Sequence, residues 1–156
     1  MFNICQHNVY IRESVYQSIK NTLGTYEPEK GGLLGSKNGI ISSFYYDEHA
    51  LTGDNTYIPN IDKVNEILLK WESEEVTFAG IIHSHPYLKK NLSFADIDFA
   101  KRIIEINCSD LYTVHFPIVI PKHVEIYWYV VIKEGDTYRV DHKNIKIIHK
   151  KIGGKL

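Results

Sequence analysis

Hydrophobic side chains recur at intervals of three and four residues in three segments, and this spacing predicts three helices. The first covers Val9 to Leu23 and is followed by Gly24, a residue type that favours helix C-termini. The second begins at Ile61 and ends near Ser73. The third begins at Ser93, whose side chain suits an N-cap position.

Shorter runs of apolar, β-branched and aromatic residues predict strands between the helices. Gly31 to Gly35 and Ile40 to Tyr46 flank the segment that ends in Asn38-Gly39, a strong signal for a hairpin. Tyr57-Ile58 is a short candidate strand. Val76 to His83 shows no alternation of polar residues, which is typical of a strand buried on both faces of a sheet.

The C-terminal third of the chain is rich in strand-forming residues. Three apolar segments, Tyr112 to Ile120, Val124 to Ile132 and Thr137 to Val140, predict an antiparallel meander. The basic segment from Lys143 to Lys151 is compatible with a strand or a helix. This alternation of elements predicts an α/β (α+β) fold.

Composition limits the class of protein. A chain of 156 residues with 44% hydrophobic content is long enough for one domain with a core, and we expect a single domain over residues 1–156. A net charge of −1 without a basic stripe argues against nucleic-acid binding. The chain has no run of eighteen apolar residues, and polar residues interrupt its first ten positions, which argues against a membrane span or a signal peptide. The only cysteines, Cys5 and Cys108, suit a reducing compartment, so we expect a cytoplasmic protein.

The sequence His83-Ser84-His85-Pro86 stands where the predicted buried strand ends. Residues i and i+2 of a strand project from the same face, so both histidines are expected to point the same way. Ser93-Phe94-Ala95-Asp96 opens the next helix and places a carboxylate in its first turn. Two histidines and one carboxylate match the three protein ligands of a mononuclear catalytic zinc site.

Each part of this pattern also has a simpler interpretation. Ser-x-x-Asp alone is most often a helix cap, and chance histidine pairs are unsurprising in a chain with eight histidines. Hydrolytic zinc chemistry also needs a base outside the ligand set, and the best candidate is Glu29, with Glu27 as a local competitor. Taken alone, Glu29 is most simply interpreted as a solvated loop carboxylate. The glycines that follow it allow another backbone or a substrate to approach closely.

Taken together, these segments resemble the JAMM motif of the JAB/MPN+ zinc metalloproteases. The resemblance rests on Glu29 to Gly35, His83 to Pro86 and Ser93 to Asp96, and on the order of the predicted elements over about residues 9–141. The residues after about 141 form a short C-terminal extension outside the region of resemblance. It implies a JAB/MPN domain, in which helices flank a curved, mixed β-sheet of cytidine-deaminase-like architecture.

The resemblance also implies a role for each candidate residue. His83, His85 and Asp96 would bind one zinc ion, and Glu29 would be the general acid and base. Ser93 would donate a hydrogen bond to the tetrahedral oxyanion. Family members with the complete motif mostly cleave the isopeptide or peptide bond after the C-terminal glycine of ubiquitin or a ubiquitin-like protein.

The implied partner is therefore a ubiquitin-like protein with a Gly-Gly tail, together with its conjugates. The compact chain is similar to stand-alone prokaryotic members, some of which accompany conjugation systems, including antiphage systems. Three alternatives stay open: processing of a sulfur-carrier precursor, a non-catalytic MPN-type binding or scaffold module, and a deaminase-like hydrolase. The last is disfavoured because the chain has no Cys-x-x-Cys segment.

Overall fold

The computed structural model describes residues 7–53, 56–106, 111–123 and 125–149. Within these ranges the chain forms ten strands and three helices. In chain order they are β1 (Asn8–Arg12), α1 (Glu13–Asn21), β2 (Gly31–Lys37), β3 (Ile40–Tyr46), β4 (Leu51–Gly53), β5 (Thr56–Ile58), α2 (Ile61–Ser73), β6 (Thr77–Ser84), α3 (Phe94–Ile106), β7 (Thr113–His115), β8 (Ile118–Ile120), β9 (Glu125–Glu134) and β10 (Thr137–Ile148).

The helix predicted from Val9 to Leu23 is wrong over its first four residues. These residues belong to β1, which pairs in parallel with β10, and only α1 is helical. Val9 and Ile11 are buried while their neighbours face outward, so this short segment also fits the period of two that a strand requires. The helix also ends earlier than predicted, at Asn21 with Thr22 as its C-cap, although the Gly24 N–H donates to the Ile19 carbonyl at 3.1 Å.

The predicted hairpin is confirmed as β2 and β3, although Ser36 and Lys37 belong to β2 and not to the loop. Asn38 and Gly39 form the turn with φ values of 54° and 77°, the left-handed conformations that a tight hairpin turn requires. Tyr57 and Ile58 lie in β5, which pairs with β4 in a separate small sheet. The predicted second and third helices correspond to α2 and α3.

The predicted meander is only partly correct. Tyr112 to Ile120 is divided into β7 and β8 around Phe116-Pro117, and both strands pair antiparallel with β9. Both also pair in parallel with β6, a crossover that a simple meander lacks. The segment left open, Lys143 to Lys151, continues β10 as far as Ile148, while Val124 and the residues after 149 lie outside the described ranges.

The eight-stranded sheet runs in the order β10-β1-β3-β2-β6-β7-β9-β8. An additional pairing between β9 and β10 brings the sheet back on itself, so the predicted curved, mixed sheet closes like a barrel. Parallel and antiparallel pairs occur side by side, which confirms the mixed α/β class.

Two groups of buried residues pack on the two faces of this sheet. Leu34 and Ile82 pack with α1, whereas Leu33 and Ile81 pack with α2 and α3. Because neighbouring residues of β2 and β6 point to opposite faces, both strands are covered on each side, as predicted for β6. No helix in the described ranges is long and apolar enough to cross a membrane.

Candidate metal centre

The two histidines of the His-x-His sequence lie together at the C-terminal end of β6. Their side chains are almost completely buried, with 3% of His83 and 6% of His85 exposed. Pairing with β8 fixes the backbone, because the His85 N–H donates to the Val119 carbonyl at 2.9 Å. The two Nε2 atoms are 2.6 Å apart, so the predicted common orientation is confirmed.

Asp96 reaches the histidines from the first turn of α3. Its Oδ1 lies 3.1 Å from His83 Nε2, and its Oδ2 lies 3.2 Å from His85 Nε2. The Ser93 N–H donates to Asp96 Oδ2 at 2.8 Å, and the Asp96 N–H donates to Ser93 Oγ at 3.1 Å. The helix cap and the convergence on the histidines therefore coexist in one arrangement.

Glu29 lies just before β2, which places it beside the end of β6 because Gly31 pairs with His83. A carboxylate oxygen of Glu29 and one ring nitrogen of each histidine lie within 4.8 Å of one another. Glu27, the competing residue, is exposed and forms a salt bridge with Lys122. The structure thus separates two carboxylates that the sequence left as alternatives.

The glycines after Glu29 have a structural use that differs from substrate approach. A Cβ on Gly31 would lie 2.6 Å from the ring of Tyr57, and one on Gly32 would lie 2.1 Å from the Tyr45 carbonyl oxygen. These positions are filled by the protein itself. The expectation of close approach is correct for protein groups, and the described contacts give no role to a substrate there.

Ser84, which the sequence analysis did not single out, ties Glu29 to the histidines. Its Oγ accepts the Lys30 N–H at 3.0 Å and donates to the Lys30 carbonyl at 3.3 Å. The Ser84 N–H donates to the same carbonyl at 2.8 Å. The only signal in the sequence was its place between the histidines, which puts its side chain on the opposite side of the strand.

The predicted site residues all line one cavity of about 330 Å³. Glu29, His83, His85, Ser93 and Asp96 are therefore brought together, and the roles assigned to them stay predictions. The other residues that line the cavity are Tyr57, Ile58, Pro59, Lys89, Ala95, Phe99, Arg102 and Phe116.

Burial and close contact shift the protonation of this group. Burial opposes ionisation of Asp96, but hydrogen bonds from His83 and His85 hold the pKa of its carboxyl well below the usual range. Burial lowers the pKa of His83. For His85, the effect of burial is outweighed by the hydrogen bond and charge of Asp96, which raise its pKa. Burial raises the pKa of Glu29, and the charge of His85 only partly opposes it.

The donor atoms fit a zinc ion in type and spacing. Imidazole nitrogen and carboxylate oxygen are common zinc ligands. The two Nε2 atoms are 2.6 Å apart, and each lies 3.1 or 3.2 Å from a different oxygen of Asp96. Bonds of about 2.0–2.1 Å in a tetrahedron would separate ligand atoms by about 3.3 Å. His85 Nδ1 lies 3.0 Å from the Lys89 carbonyl oxygen, a contact typical of the far nitrogen of a metal-binding histidine. His83 Nδ1 is buried without a hydrogen-bond partner among the described residues.

The loop between β6 and α3 is held by side chains of β9. The Tyr129 hydroxyl donates to the Lys90 carbonyl at 2.8 Å and also contacts Asn91 Oδ1 at 3.0 Å. Lys90 Nζ forms a salt bridge with Glu125 at 3.2 Å and lies 5.7 Å from the centre of the Tyr127 ring. These contacts fix the segment whose carbonyl orients His85. Spacing along the sequence gives no indication of them.

No protein-family model matches the sequence, and no curated protein matches it. Solved structures do match. The protein DSY2949 from Desulfitobacterium hafniense has a TM-score of 0.59 at 12% identity, covering 91% of this chain and 94% of that one. AF2198, a JAB1/MPN domain protein from Archaeoglobus fulgidus, has a TM-score of 0.50 at 13% identity, covering 90% and 98%. At such low identity the similarity concerns the fold alone, and the fold of this chain is similar to that of a JAB1/MPN domain.

Proposed function

We propose that this protein is a zinc-dependent isopeptidase or peptidase that hydrolyses the bond after the C-terminal glycine of ubiquitin or a ubiquitin-like protein. The observation that carries the proposal is the convergence of His83, His85 and Asp96, with Glu29 beside them, in one cavity. The JAB1/MPN-like fold supports the same assignment. The two cysteines of the sequence favour a cytoplasmic location.

His83, His85 and Asp96 would hold the metal through two nitrogens and one carboxylate. The chemistry that a zinc ion supplies when bound is Lewis acidity toward a carbonyl oxygen and toward water. Glu29 takes the proton of the attacking water and delivers it to the departing amine. The Ser93 hydroxyl accepts the Asp96 N–H, which leaves its own proton to donate to the oxyanion that develops on the substrate.

A Gly-Gly tail suits this cavity because such a tail is narrow and extended. The walls of the cavity include residues 57–59 and side chains of α3. A chain without side chains at its last two positions can bring its carbonyl between these walls to the histidines.

Substitution of the proposed base tests the mechanism. The substrate is a ubiquitin-like domain that ends in Gly-Gly and is fused to a fluorescent reporter. Glu29→Gln should lower cleavage at least 100-fold, because general acid–base catalysis typically contributes about 10²–10⁴. Metal analysis of the purified variant should still find one zinc per chain.

Glu27→Gln is the matched control, since it makes the same change two residues away on an exposed side chain. Its cleavage should equal that of the wild type. Full activity of zinc-loaded Glu29→Gln protein would show that Glu29 is not the base.

The alternatives make different predictions in the same assay. A non-catalytic MPN-type module would cleave no fusion, and the purified protein would contain no zinc. Processing of a sulfur-carrier precursor would need the same residues, but the preferred substrate would be a carrier extended by one or a few residues beyond Gly-Gly. Comparing these fusions at equal concentration separates the three cases.

A further inference from the structure

The cavity has two chemically different ends. Glu29 and Asp96 place their carboxylates at the end occupied by the histidines, and Arg102 lines the same cavity from further along α3. Arg102 follows Asp96 by six residues, which is about 9 Å along a helix that rises 1.5 Å per residue. The backbone of Arg102 therefore lies about 9 Å along the helix axis from that of Asp96, and its side chain lines the same cavity.

A row of rings connects the two ends. The centre of the His83 ring is 5.2 Å from that of Phe116, and the Phe116 ring is 5.9 Å from that of Phe99. The guanidinium carbon of Arg102 lies 5.9 Å from the centre of Phe99, within the range of a cation–π contact. The side chain of Arg102 is exposed, and this contact keeps its guanidinium beside the cavity wall.

The charge of Arg102 is not balanced from within the cavity. Among the described residues that line the cavity, the carboxylates are those of Glu29 and Asp96, and Asp96 contacts the histidines. No salt bridge joins Arg102 to any carboxylate of the described part of the chain. The nearby wall includes the apolar residues Ile58, Pro59 and Phe99. A guanidinium group in such surroundings favours a carboxylate, which it can bind through two hydrogen bonds.

We propose that Arg102 determines substrate specificity by binding a carboxylate about three residues from the scissile bond. An extended peptide covers about 9 Å in three residues at roughly 3.3 Å each. The preferred tail is therefore that of a ubiquitin-like protein with Asp or Glu immediately before its Gly-Gly pair, and a tail with Lys or Arg at that position binds less tightly. This inference rests on the proposed function, because it uses the cavity as the site of the tail.

Binding of short peptides tests the inference without turnover. The probes are fluorescein-labelled octapeptides that end in Gly-Gly and carry Glu, Gln or Lys immediately before it. Fluorescence anisotropy measures their affinity for Glu29→Gln protein, with and without zinc. The Glu peptide should bind about tenfold more tightly than the Gln peptide, the usual effect of one charge-assisted hydrogen-bonded pair.

Two variants of Arg102, made in the same Glu29→Gln background, distinguish an effect of the charge at this position from an effect on folding. Arg102→Ala should remove the preference for Glu over Gln, and Arg102→Glu should reverse it in favour of Lys. Lys101→Ala is the matched control, since it removes the same charge from the neighbouring position, where the amine lies 5.2 Å from the centre of the Tyr138 ring. Its preference should equal that of the parent protein.

A second pair of probes distinguishes the source of the carboxylate. Peptides extended by one lysine beyond Gly-Gly are compared with a free and with an amidated C-terminus. A preference for the free form that persists in Arg102→Ala protein would assign the recognition to the catalytic end, where Lys89 lies, and would overturn the assignment to Arg102.

Equal affinity of the Glu and Lys peptides, or no binding of any peptide up to millimolar concentration, would also refute the inference. These results differ from failure of the proposed function. Peptide preference is measurable whether or not zinc binds. Conversely, cleavage that depends on Glu29 but ignores the residue before Gly-Gly would refute only the role of Arg102.

Discussion

Ser84 shows how the position of the proposed base depends on a neighbouring side chain. The side chain of Ser84 is fully buried on the face of β6 opposite the histidines, and it forms two hydrogen bonds with the backbone of Lys30. Glu29 is the next residue back along the chain. The hydroxyl therefore fixes the segment that carries the carboxylate, although it does not line the cavity itself.

Ser84→Ala should lower stability by about 1–2 kcal/mol, because the Lys30 N–H loses its acceptor, whereas the Lys30 carbonyl keeps the hydrogen bond from the Ser84 N–H. Cleavage should fall more than zinc affinity does, since the histidines keep their own backbone contacts. Urea unfolding, chelator competition and the fusion assay measure the three quantities. Ser84→Thr keeps the hydroxyl and should retain most of the activity. Unchanged cleavage by a folded Ser84→Ala protein would contradict a positioning role.

At the level of elements, periodicity was sufficient where a segment is long and its burial is one-sided. Both α2 and α3 have apolar residues at helical spacing; both begin close to the predicted residues, and α2 ends at the predicted Ser73. The β2–β3 hairpin was equally clear, because Asn38-Gly39 specifies the turn by itself. Helical spacing and turn residues lie within one short segment, so the structure of that segment can be predicted without knowing its tertiary partners.

Elements that depend on distant partners could not be predicted in this way. Val9 to Arg12 is apolar at positions that suit either a strand or the start of a helix, and it forms a strand because it pairs with Ile145 to Ile148. The apolar run from Tyr112 to Ile120 is divided because β7 and β8 meet different parts of β6. In both cases the deciding hydrogen bonds join segments far apart in sequence.

The loop between β6 and α3 gives a prediction at this scale. Tyr129→Phe removes the hydroxyl that holds the Lys90 carbonyl but keeps the ring. The adjacent Lys89 carbonyl would then orient His85 less well, and zinc affinity should fall about tenfold, at the low end of the effect of losing such support. Competition with a chelator of known affinity measures the change.

Tyr138→Phe is the matched control, because it removes a hydroxyl that contacts Glu105, a residue near the C-terminal end of α3. Its zinc affinity should equal that of the wild type. Equal affinities for all three proteins would mean that β9 does not support the metal centre.

For the whole molecule, closure of the sheet joins the two ends of the described chain. The pairings of β1 with β10 and of β10 with β9 complete the barrel-like sheet, and the metal centre lies where β6 meets α3. Ligands from two elements of one fold couple metal binding to folding. The single-domain organisation of all 156 residues stays a prediction.

Zinc should therefore stabilise the protein. At a free zinc concentration one thousand times the dissociation constant, the free energy of unfolding should rise by about 4 kcal/mol, provided that the unfolded chain does not bind zinc. Thermal unfolding with zinc and with excess chelator measures the shift. Asp96→Asn should reduce it strongly. A melting temperature that does not change when zinc is added would contradict the assignment of the metal centre.

The sequence by itself determined the residue types of the site, the predicted faces of β6 and α3 that carry them, and the local helices and turns. His83 and His85 were predictable as a pair because a strand has a period of two, and Asp96 was predictable in a first helical turn. Only the tertiary structure brought Glu29 to them and set Glu27 aside, because the pairing of β2 with β6 is not encoded in any short segment. The contacts of Ser84 with Lys30 and of Tyr129 with Lys90 likewise join elements distant in the chain, and no short segment encodes them.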